Sequence, residues 1–416
     1  MLAAGIVVVV AVTQGFTVPA QLSDRLAEAG DKVEETVGEI TDATTEAVDE
    51  ATDPTEAATP SATGSPEADP TQEQAVEQSP CSVSTPLVDP DATPAATCLA
   101  ATLDGWIADG RYGLGQQLNV SSGDYLEPVT ALAPARPAIV GFDLAELAEG
   151  VTFSFETSPV EGLLRLSDEG VLLTASWHTD NPGTGWDAGD RDWQDLGELL
   201  DPGTAAYTAF WDDFDAKMAL VLRLQTGDDG RHRPAAVLFR PFHEANGDWF
   251  WWAQGADDDA YKQVYAAMQE RAASLGVHNI VWGWSANAVT HDGIADPLAK
   301  LPDAVDVVGI DSYESMADVE EQAESLDLTG LAEVAGRGPR ASVAEAGPHG
   351  STDGAWDPAV VARSAVAVGV RPSYVMFWFD DGDGDDGYSG KKELASLRNG
   401  RALAESCPDG VCALPG

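Results

Sequence analysis

"AVLFRPFHEANGDWFWW", residues 236–252, joins a short apolar run to a polar and aromatic motif. The run "AVLFRPF" (236–242) has the length and the apolar character of a buried parallel strand. His243 and Glu244 follow directly, and three tryptophans close the motif. A carboxylate among indole rings is costly unless its shifted pKa is useful, so this strand end predicts a functional site.

Seven further apolar runs resemble this one. They are "GLGQQL" (113–118), "AIVGFD" (138–143), "VLLTASW" (171–177), "NIVWGW" (279–284), "VVGIDSY" (307–313), "ASVAEAG" (341–347) and "SYVMFW" (373–378). Ala-rich helical segments such as 259–276 and 357–369 lie between several of them. Buried strands that alternate with helices indicate a parallel sheet, and eight such units predict an α/β fold, a single (β/α)8 TIM barrel. A doubly wound open sheet is the alternative, but "GLGQQLN" (113–119) is not the Gly-rich phosphate turn that it would need.

The first part of the chain differs in texture from the barrel. Residues 1–20 hold a short apolar run that ends in small residues but has no basic residue before it, so a signal peptide or N-terminal anchor is expected. Residues 21–80 contain no Phe, Trp or Tyr, and their 16 acidic and two basic residues give a net charge of -14. Such a segment is expected to be a disordered acidic linker or stalk. Residues 81–416 are then expected to form the (β/α)8 domain that carries the functional site.

The formal net charge of the whole chain is -48, and -34 of it lies outside residues 21–80. A polyanion such as nucleic acid is repelled by this charge and is excluded as a natural partner. Anionic lipid is disfavoured for the same reason, so we expect no membrane contact beyond an N-terminal anchor. A neutral partner is compatible with the charge.

Four cysteines lie at the edges of the predicted barrel: Cys81, Cys98, Cys407 and Cys412. An even number in an exported chain predicts disulfides, so the protein is expected to be secreted or tethered to the extracellular surface. Three pairings are open, and the local ones, Cys81 with Cys98 and Cys407 with Cys412, are favoured. No Cys or His cluster has zinc spacing, and no metal site is predicted.

Polar residues follow several predicted strands, where a TIM barrel carries its active site. Glu244 follows strand 4 and Glu345 ends strand 7, on opposite sides of the same mouth. Two facing carboxyls in an aromatic cleft suit glycoside hydrolysis, in which one donates a proton and the other attacks as an anion. An apolar wall would raise the pKa of Glu244, and donors such as Arg240 and Tyr313 would keep Glu345 ionised.

The motif "RPFHEANGDWFWW" (240–252), together with Glu345 in "AEAG", resembles glycoside hydrolase family 26, whose best-known members are endo-β-1,4-mannanases. The resemblance covers roughly residues 110–400. The wider clan usually has Asn before the acid/base, whereas this family and the present sequence have His. The resemblance implies a retaining enzyme with a covalent glycosyl–Glu345 intermediate and carboxyl groups about 5 Å apart. We expect a monomer that needs no cofactor.

Residue by residue, the resemblance implies that Glu244 is the general acid/base and Glu345 the nucleophile. Tyr313 would hydrogen-bond the nucleophile, and Trp378 would be the stacking floor for a sugar. The expected substrate-binding residues are His178, Arg240, His243, Trp249, Trp252, Asp311, Tyr313 and Trp378. The run "FWW" in this motif is more typical of the family's mannanases than of its mixed-linkage glucanases. The resemblance therefore implies a neutral β-linked polysaccharide, mannan or glucomannan, as the substrate.

Other functions remain open at this point. A mixed-linkage endo-β-1,3-1,4-glucanase of the same family is the nearest alternative. A non-catalytic surface protein that binds carbohydrate is another, although binding alone needs no paired carboxyls. The acidic stretch "DDGDGDDG" (380–387) invites a calcium site, but Asp386 and Lys392 stand where an EF-hand needs Gly and Glu, so a solvated loop beside the cleft is predicted.

Overall fold

The computed structural model describes residues 81–122, 124–147, 158–315 and 324–415. The predicted signal or anchor (1–20) and the predicted acidic linker (21–80) lie outside the described residues. All eight predicted strands are present, and each begins and ends within three residues of its predicted bounds.

Eight parallel strands close into a barrel. They are β1 (Arg111–Gln117), β2 (Ile139–Asp143), β3 (Leu172–Trp177), β4 (Val237–Pro241), β5 (Ile280–Asn287), β6 (Val307–Ser315), β7 (Ala341–His349) and β8 (Tyr374–Phe377). Each strand pairs with the next, and β1 pairs with both β8 and β2, which closes the ring and confirms the predicted TIM barrel. A short β9 (Val411–Ala413) pairs antiparallel with the start of β1.

Helices and turns connect the strands. The helices are α1 (Pro94–Ala108), α2 (Glu127–Thr130), α3 (Pro159–Asp168), α4 (Ala205–Gly230), α5 (Asp258–Ser274), α6 (Leu331–Ala335), α7 (Ala359–Ala367) and α8 (Gly400–Glu405). Helix α5 begins where the side chain of Asp257 accepts a hydrogen bond from the amide of Ala260 (2.8 Å). Residues 288–306, between β5 and β6, form turns in place of a helix. In the described part of the chain, none of the helices has the length and apolar character to cross a membrane.

Helix α1 closes the barrel at the end where the strands begin. Leu99 and Leu103 on its buried face belong to the same interior cluster as Leu238 of β4. Trp106 lies so close to β1 that a Cβ atom on Gly113 would come within 2.4 Å of the indole ring, and therefore only glycine fits there. The opposite end of the barrel, where the strands finish, is left for the functional site.

Two disulfides, Cys81–Cys98 and Cys407–Cys412, confirm the favoured local pairings. The first ties the start of the described chain to α1, and the second links the residues after α8 to β9. Each disulfide restricts the conformations of the unfolded chain. This lowers the entropy of the unfolded state and so stabilises the folded state relative to it.

Asp104 on α1 compensates a buried guanidinium. The side chain of Arg340 is fully buried, and its Nη2 donates to Asp104 Oδ2 at 3.0 Å. We expect Asp104→Ala to lower the free energy of unfolding by about 3–5 kcal/mol, because a buried charge loses its counterion. Urea unfolding followed by tryptophan fluorescence measures this. The control is Asp109→Ala, at the exposed residue that follows the same helix, and it should change the free energy of unfolding by less than about 0.5 kcal/mol. Equal losses in the two variants would contradict the role of Asp104 as the counterion of Arg340.

Candidate active site

Inward-facing side chains recur at every second residue of each barrel strand. On β4 this alternation leads from Leu238 in the interior cluster to Arg240, and on β2 it leads from Ile139 to Asp143. The same period brings side chains from the ends of the other strands to one mouth. The polar and aromatic residues predicted at the strand ends therefore converge.

They form an open cleft of about 690 Å³, a size typical of ligand sites. Seven of the ten predicted site residues line it: His178, His243, Glu244, Trp249, Tyr313, Glu345 and Trp378. The cleft walls thus combine carboxyl, imidazole and aromatic groups, which suits a ligand with both hydroxyl groups and apolar faces.

Glu345 reaches the mouth because β7 is irregular. The register of β7 against β8 shifts between Val343 and Ala346, and its register against β6 shifts at the same level. Such a bulge adds one residue to a strand and re-aims the side chain that follows. Ala344 already belongs to the interior cluster, and the bulge lets Glu345 face the mouth as well.

Both carboxylate oxygens of Glu345 accept hydrogen bonds. The guanidinium of Arg240 donates to Oε1, and the hydroxyl of Tyr313 donates to Oε2 at 2.9 Å. Both predicted donors are therefore in contact with Glu345. They fix the carboxylate in one orientation and match the acceptors of its ionised form.

Glu244 lies in a different environment across the cleft. Its backbone is left-handed (φ 54°), a conformation that costs on the order of 1–3 kcal/mol in a residue other than glycine. Its carboxyl accepts hydrogen bonds from Trp249 Nε1 (2.6 Å) and Asn287 Nδ2 (2.9 Å). Burial and, after it, the charge of Glu345 raise the pKa of Glu244 to about 7. Near neutral pH this carboxyl can both hold and release a proton.

Arg240 lies behind the cleft wall between two acidic residues. Its Nη1 donates to Asp311 Oδ2 (2.9 Å) and Ser285 Oγ (2.7 Å), while Nη2 donates to Glu345. Burial by itself would lower the pKa of Arg240, but the carboxylates of Asp311 and Glu345 outweigh burial and raise it. The guanidinium therefore remains charged in the interior.

Three carboxyls share this single positive charge. One oxygen of each of Glu244, Asp311 and Glu345 lies within 4.8 Å of the others, a spacing that could also hold a metal ion. Arg240 already donates to two of the three. One guanidinium cannot compensate three buried negative charges. Burial therefore raises the pKa of Asp311 well above its ordinary value even beside Arg240, and it raises the pKa of Glu244 as well.

Two histidines meet beside Glu345. His178 Nδ1 lies 2.5 Å from Asp143 Oδ2, and its Nε2 lies 3.2 Å from Nε2 of His243. Burial alone would lower the pKa of His178, but Asp143 outweighs burial and raises it. Burial and the charge of Arg240 lower the pKa of His243 well below its ordinary value. A neutral imidazole therefore lies 3.8 Å from Glu345 Oε1, and His178 is the more basic of the two histidines.

Of the three tryptophans in residues 249–252, only Trp249 lines the cleft. Trp251 and Trp252 are fully buried, and their indole N–H groups donate to the carbonyls of Thr179 (2.9 Å) and His243 (2.8 Å). These two rings hold the segment after β4 against its neighbours and do not face the ligand space.

The structure corrects three expected substrate contacts. Arg240 is 4% exposed, and Asp311 and Trp252 are 0% exposed, and none of the three lines the cleft. Arg240 and Asp311 lie below the layer that a ligand can touch, because Glu345 covers the guanidinium from the cleft side. They act on the site through the carboxylates that they contact.

Asp143 and Asn287 were overlooked in the sequence. Asp143 is the last residue of both the predicted strand 138–143 and β2, so a search for polar residues at strand ends would have found it. Asn287 ends β5 but lies three residues beyond the predicted strand 279–284, and it was missed because that strand was predicted too short. His349, Tyr388 and Lys392 line the cleft as well. They come from segments at or beyond the ends of β7 and β8, for which the sequence carries no such rule.

The sequence profile of glycosyl hydrolase family 26 matches residues 101–380, which is 280 of the 416 residues. That range contains every predicted site residue. The chain belongs to glycosyl hydrolase family 26.

Curated relatives resemble part of the chain. A mannan endo-1,4-beta-mannosidase of Bifidobacterium adolescentis is 32% identical over 239 residues, which are 53% of this chain and 23% of that protein. One of Thermothelomyces thermophilus is 29% identical over 217 residues, which are 49% of this chain and 42% of that protein. This family 26 chain therefore matches less than half the length of either relative.

Solved structures share the fold of this family 26 chain. The structure of Bacillus subtilis mannanase man26 matches with a TM-score of 0.59 and 19% identity, covering 77% of this chain and 92% of that one. The catalytic domain of the Bacillus sp. JAMB-750 GH26 endo-beta-1,4-mannanase matches with a TM-score of 0.59 and 23% identity, covering 75% and 90%. At these identities the likeness concerns the barrel.

The raised pKa of Glu244 links the stability of this family 26 barrel to pH. Its pKa is raised from 4.5 to about 7, so the bound proton stabilises the folded state below pH 4.5, and this stabilisation is lost as pH rises through 7. Glu244→Gln cannot ionise. The free energy of unfolding of Glu244→Gln, relative to that of the unsubstituted protein, should therefore be up to about 3 kcal/mol higher at pH 8 than at pH 4.

Urea unfolding at the two pH values measures this gain. Asp248→Asn is the matched control, since Asp248 lines the same cleft but is exposed. Its effect on stability should be the same at both pH values. A pH-independent effect of Glu244→Gln would contradict the raised pKa.

Proposed function

We propose that this protein is a retaining glycoside hydrolase that cleaves β-1,4-mannosidic bonds in mannan or glucomannan. The observation that carries the proposal is the pair Glu244 and Glu345, two buried carboxyls across one open cleft in opposite environments. Membership of glycosyl hydrolase family 26 supports it. Oxygens of the two carboxyls lie within 4.8 Å, which suits the separation of about 5 Å in retaining enzymes and is shorter than in inverting ones.

In the first step Glu345 is the nucleophile. One of its oxygens attacks the anomeric carbon, the bond from that carbon to the glycosidic oxygen breaks, and the departing oxygen takes the proton of Glu244. The product is an ester between the sugar and Glu345, and the shortened chain leaves with a new hydroxyl group.

The ester changes the acidity of Glu244. The charge of Glu345 is the second cause, after burial, of the raised pKa of Glu244, and the ester removes that charge. The pKa of Glu244 then falls, which suits its new task as a base. It takes a proton from water, the water oxygen bonds to the anomeric carbon, and the ester bond breaks. Two displacements at one carbon retain its configuration.

The cleft walls supply sugar contacts of two kinds. Trp249 and Trp378 offer aromatic faces, which pair with the apolar faces of sugar rings. His178 and His243 lie at the ligand surface and can exchange hydrogen bonds with sugar hydroxyls. An aromatic and imidazole wall beside a single catalytic pair suits an uncharged sugar chain.

Mannan or glucomannan is the substrate class that best fits these features. The net charge of -48 is compatible with a neutral polymer and would hinder the binding of a polyuronate. Two relatives carry the name mannan endo-1,4-beta-mannosidase, and a structural relative from a termite symbiotic protist was solved with a gluco-manno-oligosaccharide. We further propose that the protein acts outside the cell, secreted or surface-tethered, as a monomer, and its two disulfides support an oxidising compartment.

Release of reducing ends by the full chain tests the reaction. We expect release from galactomannan and glucomannan, and little from mixed-linkage β-glucan or xylan. Glu345→Ala should lower the rate by on the order of 10⁴-fold or more, because the nucleophile is lost. Activity on β-glucan alone would contradict the proposed substrate but agree with the proposed mechanism. No release from any of the four polymers would contradict the proposal as a whole.

Azide separates the two carboxyl roles in the same assay. Added azide can replace the missing carboxylate of Glu345→Ala and form a glycosyl azide of inverted configuration. In Glu244→Ala it attacks the intact ester and yields the retained configuration. Proton NMR of the products distinguishes the two, and exchanged outcomes would mean that the roles are reversed.

The pH dependence of the rate tests the acid. The alkaline limb of kcat/KM should lie near pH 7, where Glu244 loses its proton. The hydrogen bond from Trp249 lowers the pKa of Glu244, so Trp249→Phe should shift this limb to higher pH by up to about one unit. Trp186→Phe, at a residue 69% exposed and outside the cleft, is the control and should not shift it. A shift to lower pH in Trp249→Phe would contradict the assignment.

A further inference from the structure

Tyr388 is an exposed aromatic residue in the cleft. Among the described residues, four large apolar side chains are exposed, and two of these are aromatic: Tyr388 at 72% and Trp186 at 69%. Tyr388 lines the cleft and Trp186 does not. A large ring left in water on the wall of a binding cleft marks a surface that a ligand can cover.

The backbone of Tyr388 is held by hydrogen bonds although its ring is largely exposed. Its amide donates to Asp386 Oδ1 at 2.8 Å, and its carbonyl accepts from His349 Nδ1 at 2.8 Å. The amide of Ser389 donates to the same Asp386 oxygen at 2.7 Å. A ring on a backbone held from both sides loses little conformational entropy when a ligand covers it.

The loop that carries Tyr388 is joined to the end of β7. The amide of Gly350 donates to the carbonyl of Ser389 (3.0 Å), and the amide of Lys391 donates to the carbonyl of Ser351 (2.7 Å). Gly390 approaches Ser351 so closely that a Cβ atom would lie 2.3 Å from its carbonyl oxygen. The loop is therefore packed against its neighbour at backbone distance.

The acidic residues of the stretch 380–387 hold this loop. Asp380 Oδ1 accepts the amides of Lys392 (2.8 Å) and Glu393 (2.9 Å), and Asp381 Oδ2 accepts from the ammonium of Lys392 (2.6 Å). The predicted loop beside the cleft is present, and its carboxylates bind its own backbone and lysines. Its contribution to the cleft is the ring of Tyr388.

The rings of Tyr313, His349 and Tyr388 are in contact one after the other, starting beside Glu345. Tyr313, which donates to Glu345, has its ring centroid 4.4 Å from that of His349. His349 in turn lies 5.8 Å from the ring of Tyr388, at 76° to it. All three line the same cleft, so an aromatic surface runs continuously from the carboxylate to its outer rim.

We propose that Tyr388 is the platform of an outer subsite that binds a further neutral hexose unit of the β-linked chain. The unit lies on the side of Glu345 away from the leaving group. This inference rests on the proposed function, because it places Tyr388 relative to the bond that Glu244 and Glu345 would break.

The side of the cleft follows from where the acid lies. The departing oxygen must be within reach of Glu244, whose hydrogen-bond partners are Trp249 and Asn287, from the segments that follow β4 and end β5. Tyr388 belongs to the opposite wall, built by the segments after β7 and β8. A sugar on Tyr388 therefore extends the part of the substrate that becomes bonded to Glu345.

The charge around Tyr388 selects an uncharged sugar. Asp383, Asp385 and Asp386 are exposed on the same loop. A uronic acid would bring a carboxylate beside them and be repelled, while a neutral hexose can place its apolar face on the ring.

Aryl β-glycosides that carry one to four β-1,4-linked mannose units test this proposal on the full chain. Release of the aryl group is the quantity measured, so the rate reports only cleavage of the bond to that group. For that bond, each added sugar extends the substrate only towards Tyr388. We expect kcat/KM of the unsubstituted protein to rise with length. Tyr388→Ala should lose about tenfold on the longest substrate that gains from the subsite and keep its rate on the shortest.

Two variants control the experiment. Tyr388→Phe retains the ring and should retain most of the gain with length. Trp186→Ala removes the other exposed aromatic ring and should change no rate, since that ring lies outside the cleft. An equal loss by Tyr388→Ala at every length, or no loss on the longest substrate, would overturn the subsite.

Failure of the proposed reaction is distinguishable from failure of the subsite. If the unsubstituted protein cleaves none of the mannosides, migration through gels that contain glucomannan, mixed-linkage β-glucan or xylan replaces the rate. Retardation of the unsubstituted protein and of Trp186→Ala, but not of Tyr388→Ala, would support a sugar platform without the reaction. Equal migration of Tyr388→Ala and the unsubstituted protein would overturn it.

Discussion

The buried guanidinium of Arg240 is the interaction on which the candidate active site depends. It lies between Asp311 and Glu345 and donates to both, so two acidic residues of the neighbouring strands β6 and β7 can approach each other inside the barrel. Without a cation, two buried carboxylates at this spacing would repel each other, and one would have to take up a proton. Burial and, after it, the charge of Glu345 raise the pKa of Glu244 to about 7, although Arg240 by itself would lower it. Arg240, which the ligand does not touch, thus donates to Glu345, the proposed anion, and leaves Glu244, the proposed acid, to other donors.

Backbone irregularities aim the two carboxyls at one another. The bulge in β7 turns Glu345 towards the mouth, and the left-handed conformations of Phe242 and Glu244 turn the chain sharply after β4. Such conformations persist only when surrounding contacts compensate for their cost. Here the compensation comes from the core, where Phe242 stacks on Trp252 at 5.3 Å between ring centroids, and Trp252 donates to the carbonyl of His243. The aromatic residues of this segment therefore stabilise its unusual backbone conformation as well as forming part of the ligand surface.

The two walls of the cleft are built by different means. The wall around Glu244 is a continuation of a barrel strand, fixed by rings packed in the core. The wall that carries Tyr388 is a loop fixed by carboxylates, lysines and close backbone approaches. Loops tolerate changes of length better than strands do, so the outer wall is the part of such a barrel in which substrate preference can vary while the carboxyl pair stays in place.

Much of the fold and the position of the central pair could be predicted from local sequence. Eight apolar runs separated by helical segments set the strand number and order, because buried parallel strands need apolar residues on both faces. Glu244 and Glu345 were found because each lies near the end of a predicted apolar run, although β7 continues to His349 in the structure. The favoured pairing of each cysteine with its neighbour along the chain was confirmed. The same reasoning was wrong about Trp252 and Asp311, which it placed at the ligand surface and which are buried in the structure.

Only the tertiary structure decided which side chains face the cleft and which support it from behind. Arg240 meets Glu345 across 105 residues of sequence, and whether either is covered depends on a bulge that no local pattern announces. Burial and charge compensation are sums over neighbours brought together by the closed barrel. The sequence by itself thus determined the strands, their order and the residues at their ends. The depth of each residue and the pKa of Glu244 were decided by contacts between distant segments.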